Sequence, residues 1–356
     1  MEPKYGEAEI MALNTYMQSG GWLTEHIKTR EFEELIAKKT NSKFCSVVSN
    51  GTVSLSLALY ACNIGSGDDV IVPNYTMAGT ASSVLMTGAN VVFCDVDPQT
   101  ACLNLEIIKK TITTNTKAIM LVSMNGRAPF DIDDIVNFCM QKDIFLIEDA
   151  AQSLGSFKNK KHLGTFGDIG SFSFSMPKII STGNGGAIVT DNEALFNKIC
   201  KLKDFGREER GSDNYLSIGW NFKFTDIQAV IGLEQLKVIN KRIARRREIF
   251  KLYHKRLSTN KNIKFLETDI SSCTPMFVDI LVPKEKRDEL ICYLDSMSIK
   301  TRLPYPALNT QPAFKKRGNY SGSKFIADGL LWIPSSLKLT NEDIFYVCDC
   351  INNFFN

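Results

Sequence analysis

Residues 144–152 read Ile-Phe-Leu-Ile-Glu-Asp-Ala-Ala-Gln, an apolar run that ends in two adjacent carboxylates. A short apolar run of this kind predicts a strand that is buried on both faces of a parallel sheet. Ligands of open α/β sheets bind outside the carboxyl ends of the strands. Asp149 is therefore a candidate site residue, and a turn or capping carboxylate is the alternative interpretation.

The same pattern repeats along residues 43–190. Six further apolar runs lie at 44–48, 70–72, 91–94, 118–122, 170–174 and 187–189. Helical patterns such as Val53 to Ala61 separate them, and this alternation is typical of βαβ units. We therefore predict an α/β fold with a large, mostly parallel sheet.

Helical patterns flank the predicted sheet on both sides. Gly6 to Gln18 and Thr24 to Lys39 precede it, and Thr225-Asp226 can cap a long helix running to about Leu257. That helix contains the basic run Lys241-Arg242 and Arg245-Arg246-Arg247. We interpret the run as a solvated helix face, with a patch near an anionic ligand as the alternative.

The C-terminal third has a different pattern. It contains an apolar run at 273–282, a helical pattern at 284–297, an extended segment at 299–302 and a last helix from residue 341. These elements predict a smaller α+β domain at residues 246–356, after a large domain at residues 1–245.

Length and composition limit the classes of protein that the chain can belong to. At about 150 residues per domain, 356 residues correspond to roughly two domains. Hydrophobic residues make up 44% and charged residues 23%, which is typical of a globular protein. A net charge of only +3 does not favour nucleic acid or an acidic membrane as a partner.

Cysteines and apolar segments indicate the compartment. The ten cysteines lie mostly in apolar runs, without a Cys-x-x-Cys pair, and there are only three histidines. We expect buried reduced thiols and no metal site. Because no signal peptide or stretch of about 18 apolar residues is visible, we expect a cytoplasmic protein.

Ser49-Asn50-Gly51-Thr52 lies between a predicted strand and an apolar helix. Backbone N–H groups at such a turn can bind a phosphate, with Gly51 allowing close approach and Thr52 adding a hydroxyl. The alternative is an ordinary helix start, so this turn needs partners elsewhere in the chain.

Residues 167–178 read Gly-Asp-Ile-Gly-Ser-Phe-Ser-Phe-Ser-Met-Pro-Lys, and a glycine-rich stretch follows at 183–186. Lys178 comes after an alternating aromatic strand, which is a poor place for a solvated charge. A lysine in such a setting can lose its proton and attack carbonyl groups. Lys178 is the residue that we expect to carry the chemistry.

These motifs together resemble the DegT/DnrJ/EryC1/StrS family. The resemblance rests on Ser49–Thr52, residues 65–73, 148–153 and 167–178, and on Gly-Trp-Asn-Phe-Lys-Phe-Thr-Asp at 219–226. It implies the aspartate-aminotransferase fold, which is fold type I of the enzymes that use pyridoxal 5′-phosphate (PLP). Within the family, Thr301 to Phe314 and the C-terminal tail are most similar to perosamine-type synthases.

The resemblance implies roles for three residues near the PLP ring. Lys178 would hold PLP as a Schiff base and then carry a proton between the substrate carbon and C4′ of the cofactor. Asp149 would keep the pyridine nitrogen protonated, and Gln152 would form a hydrogen bond near the ring O3′.

The resemblance also implies a phosphate site and a homodimer. Gly51, Thr52 and Ser173 would bind the PLP phosphate, and Asn221 would reach that phosphate from the second subunit. The active sites would then be shared between two subunits.

Several positions depart from the family pattern. Met77 stands where relatives have an aromatic residue that stacks on PLP, and a thioether can cover the ring less rigidly. Ser123-Met124-Asn125-Gly126 replaces a motif that begins with histidine. The candidate substrate contacts are Tyr75, Asn184, Lys223, Tyr305 and Asn309, of which Asn184, Lys223 and Asn309 are also departures.

The implied reaction is amino transfer from L-glutamate to C4 of a nucleotide-linked 4-keto-6-deoxyhexose. The products would be a 4-amino-4,6-dideoxyhexose of the viosamine or perosamine type and 2-oxoglutarate. One alternative is amination of a 3-keto sugar at C3, and another is a non-catalytic nucleotide-sugar-binding or regulatory protein. Sugar 3-dehydratases of this fold carry histidine in place of Lys178, which argues against dehydration.

Overall fold

The computed structural model describes residues 5–209 and 211–356. The helices of eight or more residues are α1 Glu7–Gln18, α2 Ile27–Thr40, α3 Gly51–Ala61, α4 Ala78–Leu85, α6 Ile132–Lys142, α7 Glu193–Lys203, α8 Asp226–Lys237, α9 Ile239–Leu257, α10 Lys284–Ser296, α11 Ser321–Gly329 and α12 Asn341–Phe355, and α5 is the shorter Leu105–Thr111. The strands are β1 Phe44–Val48, β2 Asp69–Pro73, β3 Asn90–Cys94, β4 Thr116–Val122, β5 Phe145–Asp149, β6 Phe157–Lys158, β7 Lys161–His162, β8 Ile169–Ser173, β9 Gly186–Thr190, β10 Val278–Leu281 and β11 Leu330–Ile333.

All seven predicted strands of the first half join one sheet. Its strand order is β1-β9-β8-β5-β4-β2-β3. β5 pairs in parallel with β4 and β8, whereas β9 is antiparallel to both β1 and β8. The other six strands therefore run in one direction, and the prediction of a large, mostly parallel sheet is confirmed.

Neighbouring residues of one strand enter different hydrophobic clusters. In β2, Ile71 packs in a cluster with Ile108 of α5, whereas Val70 packs in another cluster with Leu57 of α3. Because successive side chains of a strand point to opposite faces, helices cover both faces of the sheet. This double burial explains why the strand sequences are apolar without alternation.

The C-terminal part forms a smaller α+β unit. β10 pairs with β11 in antiparallel orientation, and both pack against α9, α10 and α12 through a separate core that includes Tyr253, Leu290 and Ile344. Sequence analysis did not predict β11. The α+β character of this part agrees with the prediction.

The expected domain boundary at 245/246 falls inside α9. Ile243 packs with the large-domain cluster, whereas Tyr253 packs in the C-terminal core. The boundary remains a prediction that this change of packing partner supports. Residues 1–4 and 210 of the first predicted domain lie outside the described residues.

The prediction of a single long helix after Thr225 was wrong. Thr225 does cap a helix, because its Oγ1 accepts a hydrogen bond from the Gln228 N–H at 3.2 Å. That helix, α8, ends at Lys237, and Val238 has φ −107° and ψ 5°, outside the helical range. α9 then begins at Ile239, which is buried.

The expected start of the second helix at Thr24 was also wrong, because α2 begins at Ile27. The carboxylate of Asp226 accepts hydrogen bonds from the backbone N–H groups of His26, Lys28 and Thr29 at 2.7, 2.9 and 3.0 Å. A residue about 200 positions away therefore satisfies the free N–H groups at this helix start, which no local pattern predicts.

The arginines at 245–247 in the basic run of α9 do not form a solvated face. Arg246 is buried, and Arg247 donates from Nε to the carbonyl oxygen of Cys273 at 2.9 Å. Arg245 donates to Asn341 Oδ1 at 3.0 Å. These side chains bind α9 to the C-terminal segments, so the interpretation as a solvated face was wrong for them.

The ten cysteines are free thiols, and the expected burial holds for most of them. Eight are buried, Cys200 is half-buried and Cys292 is exposed. Separately, within residues 5–209 and 211–356 no helix has both the length and the apolar character that crossing a bilayer requires.

Candidate active site

Asp149 is the last residue of β5, in the middle of the sheet, and it is buried. Its Oδ2 accepts a hydrogen bond from Thr80 Oγ1 at 2.7 Å, and its Oδ1 accepts one from the Ala151 N–H at 3.2 Å. Burial raises the pKa of Asp149, and these hydrogen bonds and the charge of Lys178 oppose that rise. The strand-end carboxylate predicted from sequence is therefore a buried group with fixed orientation.

Lys178 lies in the turn that follows β8, the strand next to β5. Its backbone N–H donates to Ser175 O at 3.0 Å, and its Nζ lies 3.7 Å from Met276 Sδ. Burial lowers the pKa of Lys178 to about 8, although the negative charge of Asp149 opposes the shift. The uncharged amine is consequently more abundant near neutral pH than for an ordinary lysine, and this is the form that attacks carbonyls.

Gln152 lies three residues beyond Asp149 and lines a cavity with Lys178. Its Oε1 accepts a hydrogen bond from the Asn125 N–H at 2.7 Å, and its Nε2 lies 3.5 Å from the hydroxyl of Tyr305. Gln152, Ser173, Lys178 and Met276 line one small cavity. The structure therefore brings together residues from the β5 and β8 ends and from the C-terminal part of the chain.

The predicted phosphate turn faces Ser173. Gly51 begins α3, and Asn50 Oδ1 caps this helix by accepting from the Val53 N–H at 3.0 Å. A Cβ placed on Gly51 would lie only 3.0 Å from Ser173 Cβ. The glycine thus lets the N–H groups of the helix start and the Ser173 hydroxyl line one concave surface, which suits an anion.

Thr52 and Met77 lie beside this surface. A Cβ on Gly79 would meet Thr52 Oγ1 at 2.9 Å and Met77 Cε at 2.6 Å, so both side chains lie against that glycine. Met77 Sδ accepts a hydrogen bond from the Gly79 N–H at 3.1 Å, and its side chain is 46% exposed. Met77 therefore caps α4 with its sulfur at the edge of the predicted cofactor site.

Two of the predicted substrate contacts are tyrosines near the cavity. The rings of Tyr75 and Tyr305 are 6.5 Å apart, and the buried hydroxyl of Tyr75 has no hydrogen-bond partner among the described residues. Burial raises the pKa of Tyr305 to about 12, so its hydroxyl is neutral and can donate or accept.

A third, Asn309, is engaged with Asn74 at the end of β2. Its backbone N–H donates to Asn74 Oδ1 at 2.8 Å, and its Oδ1 accepts from Asn74 Nδ2 at 2.9 Å. This reciprocal pair binds the C-terminal segment to the sheet.

The remaining candidates make contacts away from Lys178. Lys223 forms an ion pair with Asp204 at 2.5 Å. The exposed Asn221 pairs with the same Asp204 through an isolated antiparallel β-bridge between their backbones. The backbone oxygen of Asn184 accepts from Gln228 Nε2 at 2.6 Å. Among the contacts of the described residues, none joins these three candidates to Lys178 or Asp149 within one chain.

Sequence analysis missed Thr80, Met276 and the positioning of Gln152 by Asn125. Thr80 lies within α4 and carries no local signal. Asn125 follows β4 much as Asp149 ends β5, so the rule for strand ends could have identified it. Separately, no group of three or more His, Cys, Asp or Glu residues within 5–209 and 211–356 is arranged to hold a metal ion.

A mostly parallel sheet with a buried carboxyl group at the end of β5, a lysine of lowered pKa after β8 and a glycine at the start of α3 has the architecture of a PLP-dependent aminotransferase of fold type I. Residues 3–352 match the DegT/DnrJ/EryC1/StrS aminotransferase family. The chain therefore belongs to this family, whose members are PLP-dependent sugar aminotransferases.

Two relatives and two solved structures illustrate the similarity. GDP-perosamine synthase of Escherichia coli O157:H7 is 35% identical over 92% of this chain and 90% of its own, and GDP-perosamine synthase of Vibrio cholerae is 30% identical over 100% and 98%. The aminotransferase TlmJ of Streptoalloteichus hindustanus superimposes with a TM-score of 0.93 at 28% identity, covering 99% of this chain and 97% of that one. NtdA of Bacillus subtilis, solved with bound cofactor PMP, has a TM-score of 0.91 at 25% identity, covering 98% of this chain and 82% of that one.

The residues present fit PLP. A Cβ on Gly51 would press against Ser173, so the glycine leaves the N–H groups at the start of α3 open to a phosphate. Burial lowers the pKa of Lys178, which favours the neutral amine that bonds to an aldehyde. Asp149 is a buried carboxyl group at the end of β5 that can pair with a protonated pyridine nitrogen. The cofactor expected from the sequence is thus supported by three separate groups of this chain.

Proposed function

We propose that this protein transfers the amino group of L-glutamate to C4 of a nucleotide-linked 4-keto-6-deoxyhexose. The products are a 4-amino-4,6-dideoxyhexose and 2-oxoglutarate. The observation that carries the choice of substrate is the similarity, over 92% or more of the chain, to two GDP-perosamine synthases. The site geometry supports the reaction type independently of that similarity.

Lys178 is the proposed proton carrier. PLP, when bound, withdraws electrons from the carbon that carries the amino group. Lys178 Nζ lies in the cavity with a pKa of about 8, so it can both accept and return a proton near neutral pH. The Met276 sulfur beside it is a weak acceptor and leaves the amine available.

Asp149 is proposed to bind the nitrogen of the pyridine ring, and Gln152 is proposed to bind the ring oxygen. Asp149 accepts hydrogen bonds from Thr80 and Ala151, so its charge is fixed in place and favours a protonated ring nitrogen. The Nε2 group of Gln152 is a donor for the ring oxygen, because its Oε1 is already bound to Asn125. Gly51, Thr52 and Ser173 are proposed to bind the phosphate.

We also propose a homodimer with shared active sites in the cytoplasm. Asn221 and the neighbouring segment expose their side chains, with Ile218 80% exposed and Tyr215 54% exposed. Trp22 is 64% exposed as well. A second copy would cover these apolar side chains and could place its Asn221 at the phosphate.

The decisive experiment is product analysis. The protein is incubated with PLP, L-glutamate and 4-keto or 3-keto 6-deoxyhexoses linked to GDP, dTDP or UDP, and the product is examined by NMR. We expect an amine on C4 and an equal amount of 2-oxoglutarate, with Lys178→Ala as the inactive control. An amine on C3, or turnover of 3-keto substrates alone, would contradict the C4 proposal and leave the aminotransferase class intact.

A further inference from the structure

Asn125 connects Gln152 to the C-terminal part of the chain. Its backbone N–H donates to Gln152 Oε1 at 2.7 Å. Its side chain contacts Phe277, 152 residues later: Oδ1 accepts from the Phe277 N–H at 2.8 Å, and Nδ2 donates to Phe277 O at 3.0 Å. Asn125 thus forms hydrogen bonds with both backbone groups of Phe277, next to β10, and with the side chain of Gln152, a predicted cofactor contact.

The backbone of Asn125 is held in an unusual conformation. Its φ is 55°, in the left-handed region that favours glycine and asparagine. This conformation directs its N–H group at Gln152. The two side-chain hydrogen bonds to Phe277 hold Asn125 in this conformation. They satisfy the backbone N–H and C=O of Phe277 in the way that a neighbouring strand would.

A buried ion pair holds the same amide from its other side. Asn125 Nδ2 also donates to Asp279 Oδ2 at 3.0 Å, and Arg127 Nη1 donates to the same oxygen at 2.9 Å. Arg127 Nη2 binds the other oxygen of Asp279, and its Nε donates to Thr268 Oγ1 at 2.8 Å. Arg127 and Asp279 are both buried, so the Asn125 amide cannot rotate without leaving an unpaired charge or donor.

The fixed N–H of Asn125 decides which way the Gln152 amide faces. An N–H group can be met by the oxygen of Gln152 and not by its NH₂ group. Nε2 therefore faces away from Asn125, and it lies 3.5 Å from the Tyr305 hydroxyl. Gln152 lines the same cavity as Lys178 and Ser173. We propose that Asn125, held by Asp279 and Arg127, is a positioning residue that aims the Gln152 NH₂ group at the ring oxygen of the cofactor. This inference rests on the proposed role of Gln152.

The test measures the pH at which the visible absorbance of the PLP-loaded enzyme changes, which reports the protonation of the nitrogen that joins Lys178 to the cofactor. A donor at the ring oxygen stabilises its negative charge and so lowers the proton affinity of that nitrogen. We expect Gln152→Ala to raise the midpoint by about one pH unit, since one pKa unit corresponds to about the free energy of a hydrogen bond to a charged group.

Asn125→Gly keeps the positive φ and removes the side chain that holds it. We expect this variant to raise the midpoint in the same direction and to weaken PLP binding, measured by fluorescence titration of the apoprotein. In the Gln152→Ala background it should add no further shift, because its effect passes through Gln152. Asn41→Gly, at an exposed residue with φ 59°, is the matched control and should leave both readouts unchanged.

Asn125→Asp serves if the glycine variant does not fold, because it preserves size and conformation but turns a donor into an acceptor. An unchanged midpoint in the Asn125 variants beside a raised one in Gln152→Ala would overturn the inference and spare the role of Gln152. A further shift in the double variant would overturn it as well. No shift in Gln152→Ala would overturn both, while the product analysis above would still test the reaction.

Discussion

Thr80 Oγ1 donates a hydrogen bond of 2.7 Å to Asp149 Oδ2, joining residues that lie 69 positions apart. Asp149 ends the central strand β5, and Thr80 lies in the first turn of α4. Burial raises the pKa of the Asp149 carboxyl group, and this hydrogen bond opposes the rise. The charge that the proposed chemistry needs at the ring nitrogen therefore depends partly on a helix that carries no recognisable site motif.

Replacing Thr80 by valine removes this hydrogen bond with little change of shape. The pKa of Asp149 should rise, because the opposing effect of burial remains. We expect the acidic limb of the pH profile of kcat to move upward by about one pH unit. Thr87→Val, near the end of the same helix, is the control, and an unchanged profile in Thr80→Val would show that the bond does not tune Asp149.

Lys178→Ala should abolish transamination and leave a folded protein. The variant loses both the bond to the cofactor and the proton carrier, so we expect a decrease of at least about 10³-fold in kcat. The visible absorbance of lysine-bound PLP should disappear as well. Retention of more than a few per cent of the wild-type rate would disprove the assignment; Lys161→Ala, at an exposed lysine, tests for nonspecific effects.

Asp149→Asn should leave PLP bound but slow the half-reaction with glutamate by about 10²-fold or more. A neutral amide cannot keep the ring nitrogen protonated, although it can still occupy the same space. Stopped-flow absorbance measures the rate of PMP formation. Asp143→Asn, at an exposed position after α6, makes the same change elsewhere, and equal rates in the wild type and Asp149→Asn would argue against the role.

His162 makes the fold sensitive to acid. Its Nε2 accepts from the Gly155 N–H at 2.9 Å, its Nδ1 lies 2.6 Å from Leu163 O, and burial lowers its pKa to about 4. Since the unfolded chain binds this proton more readily, the stabilisation is complete above about pH 6.5 and decreases as the pH falls toward 4.

We expect the neutral His162 to account for a decrease of roughly 3 kcal/mol in the free energy of unfolding between pH 7 and 4. Urea denaturation at several pH values should show a smaller decrease for His162→Gln than for wild type. His254→Gln, at an exposed histidine, should behave like wild type. Identical pH dependence in wild type and His162→Gln would contradict the prediction.

The buried ion pair between Arg127 and Asp279 gives a prediction about stability. Arg127→Leu leaves the Asp279 charge buried and unpaired, which should lower the free energy of unfolding by about 3–5 kcal/mol. Lys110→Leu breaks the exposed pair with Glu106 and should cause no measurable change. Equal urea midpoints for the two variants would show that the buried pair is not needed.

The sequence alone was sufficient for the sheet and for proposing the residues of the reaction. Apolar runs of strand length are dictated by burial on both faces, so Phe44–Val48 and Phe145–Asp149 were found nearly to the residue. Asp149 was proposed as a site residue because it ends a buried strand, and Lys178 because it follows an aromatic strand within a few residues, where a solvated charge is not expected. The family motifs, spread over nearly the whole chain, indicated the cofactor.

Only the tertiary structure decided the contacts between residues far apart in the chain. Asp226 caps α2 across about 200 residues, and Thr80 and Asn125 hold Asp149 and Gln152. Such bonds depend on how helices and strands pack, and local propensity carries no record of a distant partner. The same holds for Arg247 of α9, whose partners are the backbone carbonyl groups of Ser272 and Cys273. Because every residue type has a carbonyl group, the sequence gives no sign of such partners.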